Sequence, residues 1–106
     1  MVKNISPQEL QALLDAGEPL TVIDVREDWE LEQAALPFAQ HIPMNDVPDR
    51  LDEIPKEGTV VFMCHHGGRS AAVANYLESV GYTNLLNLDG GIAAWTADVD
   101  PSLKDY

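Results

Sequence analysis

Cys64 is the only cysteine in a chain of 106 residues. It follows the apolar run Thr59-Val60-Val61-Phe62-Met63 and precedes His65, His66, Gly67, Gly68, Arg69 and Ser70, after which a helical pattern begins. The paired glycines let the backbone curl through conformations that other residues avoid. Successive N–H groups can then point into one concavity that binds anions, and the following helix adds its positive N-terminal end. A thiol at the centre of such a turn ionises below its ordinary range. Arg69 supplies a planar guanidinium suited to an oxyanion, and His65 and His66 add polar neighbours. The chemistry favoured is that of a sulfur anion: a thiolate that attacks a substrate, or a persulfide held after the attack.

Other uses of the same residues fit less well. A lone cysteine at a strand end is ordinarily a small buried hydrophobe, but an inert thiol has no use for an anion-binding turn. Zinc asks for three or four ligands at suitable spacing, and His41 is the only histidine outside the pair; it reads as a structural histidine on a strand. No metal and no cofactor is expected. Phosphatase loops built on a cysteine nucleophile place one residue more between the cysteine and the arginine. Here only His65, His66, Gly67 and Gly68 intervene, and the shorter ring suits a smaller reacting centre, such as a terminal sulfur on Cys64.

The elements that must position this loop are marked along the chain. Ser6-Pro7-Gln8-Glu9 is a helix start, with a serine cap, proline in the first turn and Glu9 three residues after the cap. Leu10, Leu13 and Leu14 form its apolar stripe and Gly17 stops it. Leu20 to Ile23 reads as a buried strand ending at Asp24. A helix is expected over 27–36, ended by Pro37; a short strand over 40–43; a short helix over 45–54 with Pro48 in its first turn. Thr59 to Met63 is the most apolar strand. A helix over 70–80 places Val73, Leu77 and Val80 on one face, with Gly81 after it. Leu85 to Leu88 is the last strand, and Gly90-Gly91 opens a short helix through Trp95, followed by an acidic tail. Strands alternating with helices, some strands apolar throughout, imply a parallel sheet covered on both faces. Ligands bind such sheets at the carboxyl ends of strands, which singles out the loops after Ile23, Met63 and Leu88.

Length and composition fit one domain over residues 1–106. Eighteen acidic against six basic residues give a formal net charge of −12. That charge would repel nucleic acid and an anionic membrane surface. An anionic substrate would need a local positive site to overcome it. One cysteine makes no internal disulfide, the N-terminal MVKNISPQEL has no apolar run of signal-peptide length, and no window approaches a membrane span. A cytoplasmic protein with a reduced thiol is expected.

Five segments in order resemble the rhodanese-like single-domain sulfurtransferases. Val22-Ile23-Asp24-Val25-Arg26-Glu27 is similar to the family's "DVRE" element, followed by Trp29-Glu30. His41-Ile42-Pro43-Met44 is similar to its "NIP" element, Cys64 to Ser70 to its active-site loop, and Leu88 to Trp95 to its "GG(I/M)xxW" ending. One departure stands in the stretch that usually reads "GHIPGA": the Gly-His pair is Ala34-Ala35, which bears on the local loop rather than on catalysis. The resemblance implies an α/β fold of three layers, a central parallel sheet of about five strands with helices on both faces. It implies Cys64 as nucleophile and sulfur carrier, taking sulfur from a donor such as thiosulfate. The sulfur then passes to cyanide in vitro, or to a thiol or sulfur-carrier protein in vivo; a protein-borne persulfide is a further candidate donor. Residues 65 to 70 would bind substrate, and Asp24, Arg26 and Gly90 would support the loop from behind, Arg26 pairing with an acid such as Glu30, and Gly90 and Gly91 allowing close approach of the last loop to the site. Trp29 and Trp95 are expected to pack. The alternatives are a non-catalytic rhodanese-like binding or regulatory module and a phosphatase or arsenate reductase of related fold. The oligomeric state, the pathway and the physiological donor and acceptor are not encoded in any of these motifs.

Overall fold

The computed structural model describes residues 2–103. Five parallel strands form one sheet: β1 (Lys3–Ile5), β2 (Leu20–Asp24), β3 (Ala39–His41), β4 (Thr59–Met63) and β5 (Leu85–Leu88), in the order β1-β5-β4-β2-β3. Helices α1 (Pro7–Ala16), α2 (Asp28–Gln33) and α3 (Gly68–Ser79) lie between strands, and α4 (Gly91–Asp98) follows the last one. β4 is central and apolar because both of its faces are covered. Val60 and Phe62 look toward α3 and join Ile23, Val73, Ala74 and Leu77 in one core. Val61 and Met63 look the other way and join Leu10 of α1 and Ile92 and Trp95 of α4 in a second. Alternation along a single strand thus places one helix layer on each side.

α1 begins as its sequence prescribes. The Ser6 hydroxyl accepts from the Glu9 N–H at 3.1 Å, the Glu9 carboxylate accepts from the Ser6 N–H at 2.9 Å, and Gly17 takes the left-handed conformation that ends the helix. Elsewhere local context shortens or changes what the pattern suggests. The expected helix over 27–36 runs only from Asp28 to Gln33, because Ala34 is extended and Leu36, which precedes Pro37, turns inward to be buried. The expected helix over 45–54 is instead two 3-10 turns, Met44–Asp49 and Leu51–Glu53. Their bonds span three residues, as in Asp46 to Pro43 and Arg50 to Val47, a tighter path that tolerates the missing N–H of Pro48. α3 starts two residues before Ser70 and ends at Ser79, so Val80 lies beyond the apolar face and is 48% exposed. Trp29, expected to pack, is 52% exposed, whereas Trp95 is buried edge-on to Phe38. β1 has no counterpart in the sequence pattern; it is three residues long and its first two are exposed. The tail beyond Leu103 lies outside the described residues.

The carboxyl ends of β2, β4 and β5 meet at one edge of the sheet, as the alternating pattern implies. Beyond the end of β2, the Val25 N–H donates to the Met63 carbonyl at 3.0 Å. The segment carrying Asp24 and Arg26 is therefore fastened to the strand that delivers Cys64.

Candidate active site

Cys64 follows β4 directly, and α3 begins four residues later with Gly67 as its left-handed cap (φ 100°). The turn is tighter than the sequence suggests, so Arg69 stands in the first turn of the helix rather than in the loop. A left-handed residue costs a side chain about 1–2 kcal/mol. A Cβ at Gly67 would also press on the Leu88 carbonyl at 3.2 Å and the Gly90 nitrogen at 3.3 Å, which explains glycine there.

The thiol sits at the floor of the turn, 1% exposed. The Gly67 N–H donates to Cys64 Sγ at 3.1 Å, and Ser70 Oγ lies 3.4 Å from the same sulfur. Burial opposes ionisation. Hydrogen bonds from the Ser70 hydroxyl and from the N–H groups of Ser70, Gly67 and His66 outweigh it, so the thiol pKa lies below its ordinary value. Ser70 has one proton to share among Asn87 Oδ1 at 2.6 Å, the Gly67 carbonyl at 3.2 Å and the sulfur. A charged sulfur strengthens its claim on that proton. Asn87 donates in turn to the Gly67 carbonyl at 3.2 Å and to Asn4 Oδ1 at 3.1 Å, so β5 and β1 brace the turn from behind.

The last loop closes against the first. The Ile92 and Ala93 N–H groups at the start of α4 donate to the Cys64 carbonyl (2.9 Å) and the His65 carbonyl (3.1 Å). Those N–H groups have no partner within their own helix, and the turn's carbonyls supply one. A Cβ on Gly91 would overlap both carbonyl oxygens. Of the two glycines expected to allow close approach, Gly91 is the one that meets the turn's carbonyls, while Gly90 caps α4 and is fixed as glycine by a clash with Ala94. At the mouth the rings of His65 and His66 stack with centroids 3.9 Å apart.

The charged residues pair differently from expectation. Arg26, expected to meet Glu30, is wholly buried and pairs with Asp24 at 2.7 Å. Its Nη2 also reaches the Ala34 carbonyl at 2.8 Å and its Nη1 the Glu30 carbonyl at 3.4 Å. Arg26 therefore satisfies carbonyls at the end of α2, and its own carbonyl accepts from His41 Nε2 at 2.6 Å. Ala34, where the family pattern has glycine, contributes through that backbone carbonyl, which any residue type would present. Held by this anchor, α2 presents Glu30 to Arg69, whose Nη1 and Nη2 donate to the two carboxylate oxygens at 2.6 and 2.8 Å. The Arg69 hydrogen bonds hold the Glu30 carboxyl down at about 2 despite its burial, and Arg69 is raised further by Glu30. Arg69 is thus engaged by an acid, not free to close a ring over the thiol.

Cys64, His65, His66, Gly67, Gly68 and Ser70 do come together, with Asp24 and Arg26 beneath and Gly90 beside them. Two contributors escape sequence reasoning. Asn87 reads only as a strand residue, and the Glu30–Arg69 pair joins residues 39 apart. The polar Asn87 inside Leu85-Leu86-Asn87-Leu88 is the one signal available. Among the described residues, no group of three or more His, Cys, Asp or Glu side chains is placed to hold a metal ion, and no helix is long and apolar enough to cross a membrane.

The chain is similar to known proteins over nearly its whole length. The rhodanese-like domain matches residues 6–98. A protein of Allochromatium vinosum named sulfurtransferase is 40% identical over 95 residues, covering 90% of this chain and 89% of its own. The thiosulfate sulfurtransferase GlpE of Tolumonas auensis is 36% identical over 91 residues, covering 86% and 85%. The crystal structure of a rhodanese-like domain protein from Staphylococcus aureus superposes with a TM-score of 0.84 at 36% identity, covering 97% of each chain. Relatives so named support sulfur transfer of the rhodanese type. With its strand order, its Cys64 turn and a match over nearly its whole length, this chain belongs to the rhodanese-like family.

Proposed function

We propose that the protein moves sulfane sulfur from a donor such as thiosulfate to a nucleophilic acceptor through a persulfide on Cys64. The observation that carries this reading is the pair of donors, the Gly67 N–H and the Ser70 hydroxyl, directed at Cys64 Sγ. They favour the thiolate that makes the attack. The Cys64 thiolate attacks the outer sulfur of thiosulfate. A new S–S bond forms, the old one breaks, and its electron pair leaves with sulfite. The transferred sulfur becomes the terminal atom of Cys64–S–S⁻, about 2 Å farther out than the thiol it rests on, which brings a reactive atom up from the floor of the turn. An acceptor thiolate or cyanide then takes that sulfur and restores the thiolate, a double displacement with a covalent intermediate.

The backbone of residues 65 to 69 lines the anion site in this scheme, with Ser70 as the adjustable donor. The space over Gly68 is open, with nothing within 4 Å of where a Cβ would stand. Asp24 and Arg26 position α2, and Gly90 and Gly91 let α4 meet the turn. Cyanide serves as acceptor in vitro; a thiol or a sulfur-carrier protein, in a cytoplasmic setting, serves in vivo. The charge of −12 is a reason to expect neither nucleic acid nor anionic membrane as partner. The test is thiocyanate formation from thiosulfate and cyanide. Wild type should turn over and Cys64→Ser should not. Turnover that persists in Cys64→Ser overturns the mechanism, and a folded wild type that transfers no sulfur from any sulfane donor points to a binding module instead.

A further inference from the structure

The fixed anion beside the site is Glu30. It is 3% exposed, its Oε1 accepts from the Glu27 N–H at 3.0 Å, and both oxygens are occupied by Arg69. It cannot swing aside, because α2 is tied at its far end by Arg26 to the Ala34 carbonyl and through Arg26 to Asp24. Arg69 is the only Arg or Lys of the Cys64–Ser70 segment, and the thiolate of Cys64 is among the charges that favour its protonated form. Paired this way, the guanidinium and carboxylate sum to zero. A donor that brings its own double negative charge meets no net cation there, inside a protein of formal charge −12.

We propose that Glu30 is a specificity-determining residue: by engaging Arg69 in a two-point ion pair it neutralises the site's cation and disfavours dianionic donors such as thiosulfate. Relative preference then falls to donors whose charge is confined to the transferred sulfur, the class of thiol persulfides. This inference rests on the sulfur-transfer reading above. For a persulfide donor the step is attack of the Cys64 thiolate on the terminal sulfur of R–S–SH. A new S–S bond forms to give Cys64–S–SH, the S–S bond of the donor breaks with its electron pair on the leaving thiolate R–S⁻, and the proton stays on the transferred sulfur.

The experiment measures kcat/KM for two donors, thiosulfate and a small persulfide with an uncharged alkyl group, with cyanide as acceptor. Glu30→Gln keeps the shape and an oxygen for the Glu27 N–H but removes the charge that holds Arg69. Unmasking one charge near a dianion should raise kcat/KM for thiosulfate roughly tenfold, chiefly through KM, with the persulfide unchanged within about twofold. Glu30→Asp, which restores the charge, should return the ratio of the two donors toward wild type. In the double variant Glu30→Gln/Arg69→Met the site is again without net charge, so that ratio should also stay near wild type; this variant carries the test if Glu30→Gln alone does not fold. Equal changes for both donors would mean that Glu30 only shapes the turn, and a selective loss of thiosulfate in either Gln variant would mean that the pair itself binds the sulfonate. Both results overturn the proposal. A wild type that accepts sulfur from neither donor overturns the sulfur-transfer reading, and this inference with it.

Discussion

Gly91→Ala is the substitution that most directly probes how the last loop holds the Cys64 turn. Gly91 has a φ of +59°, and a Cβ there would overlap the carbonyl oxygens of Cys64 and His65. The left-handed conformation alone costs alanine about 1 kcal/mol. Relieving the overlap must move α4 away and stretch the Ile92-to-Cys64 and Ala93-to-His65 hydrogen bonds, each contributing about 1 kcal/mol. The sum is about 3 kcal/mol, or a fall in Tm of roughly 12–24 °C for a domain near 100 residues. Gly17→Ala is the matched control: its φ is +70° and nothing lies within 4 Å of the added carbon, so it should lose only the conformational part, about 1 kcal/mol. Thermal and urea unfolding of the two variants beside wild type give the comparison. Equal losses at the two positions would refute the tight docking of α4 on the turn. Beyond stability, Gly91→Ala should also shift the turn's N–H groups and raise the pH at which the thiol ionises.

Alkylation rate against pH, with a reagent small enough to reach the floor of the turn, should give a midpoint for Cys64 below that of an ordinary thiol. Ser70→Ala should move it upward, because it removes a hydrogen bond that favours the thiolate; an unmoved midpoint would mean that the hydroxyl proton stays with Asn87. The Glu30–Arg69 pair should contribute stability that is present above pH about 4.5 and is lost as pH falls toward about 2, because the folded carboxyl is depressed. Urea unfolding at about pH 6 and about pH 3 should therefore differ less in Glu30→Gln than in wild type. Arg26→Met strands the buried Asp24 and frees the Ala34 carbonyl. It should cost roughly 3–5 kcal/mol, and a second change, Asp24→Asn, should recover part of it.

The sequence speaks most plainly where local chemistry decides the outcome. The capping box at Ser6 and Glu9, the left-handed Gly17 and the apolar run of β4 after Thr59 are each specified within a few residues. The Cys64 turn is also local, and its glycines announce it. What stays hidden depends on partners far apart in the chain. β1 is short, lies at the sheet edge and buries only Ile5, so no period marks it. Which arginine meets Glu30 is settled by the fold: Arg26 lies four residues away but is drawn beneath α2 by Asp24, leaving Glu30 to Arg69. Asn87 gains its part only when β5 pairs beside β4 and brings its amide to Gly67. Periodicity alone carries the helices past Gln33 and Ser79, because the residues that follow are apolar yet leave the helical path.

Intact-mass measurement of the reduced protein after exposure to a sulfane donor tests the central claim most directly. Wild type should gain one sulfur atom, about 32 Da, lose it on addition of cyanide, and show neither change in Cys64→Ser. A folded wild type whose mass stays constant with both thiosulfate and an alkyl persulfide, or a gain that survives in Cys64→Ser, would contradict a persulfide carried on Cys64.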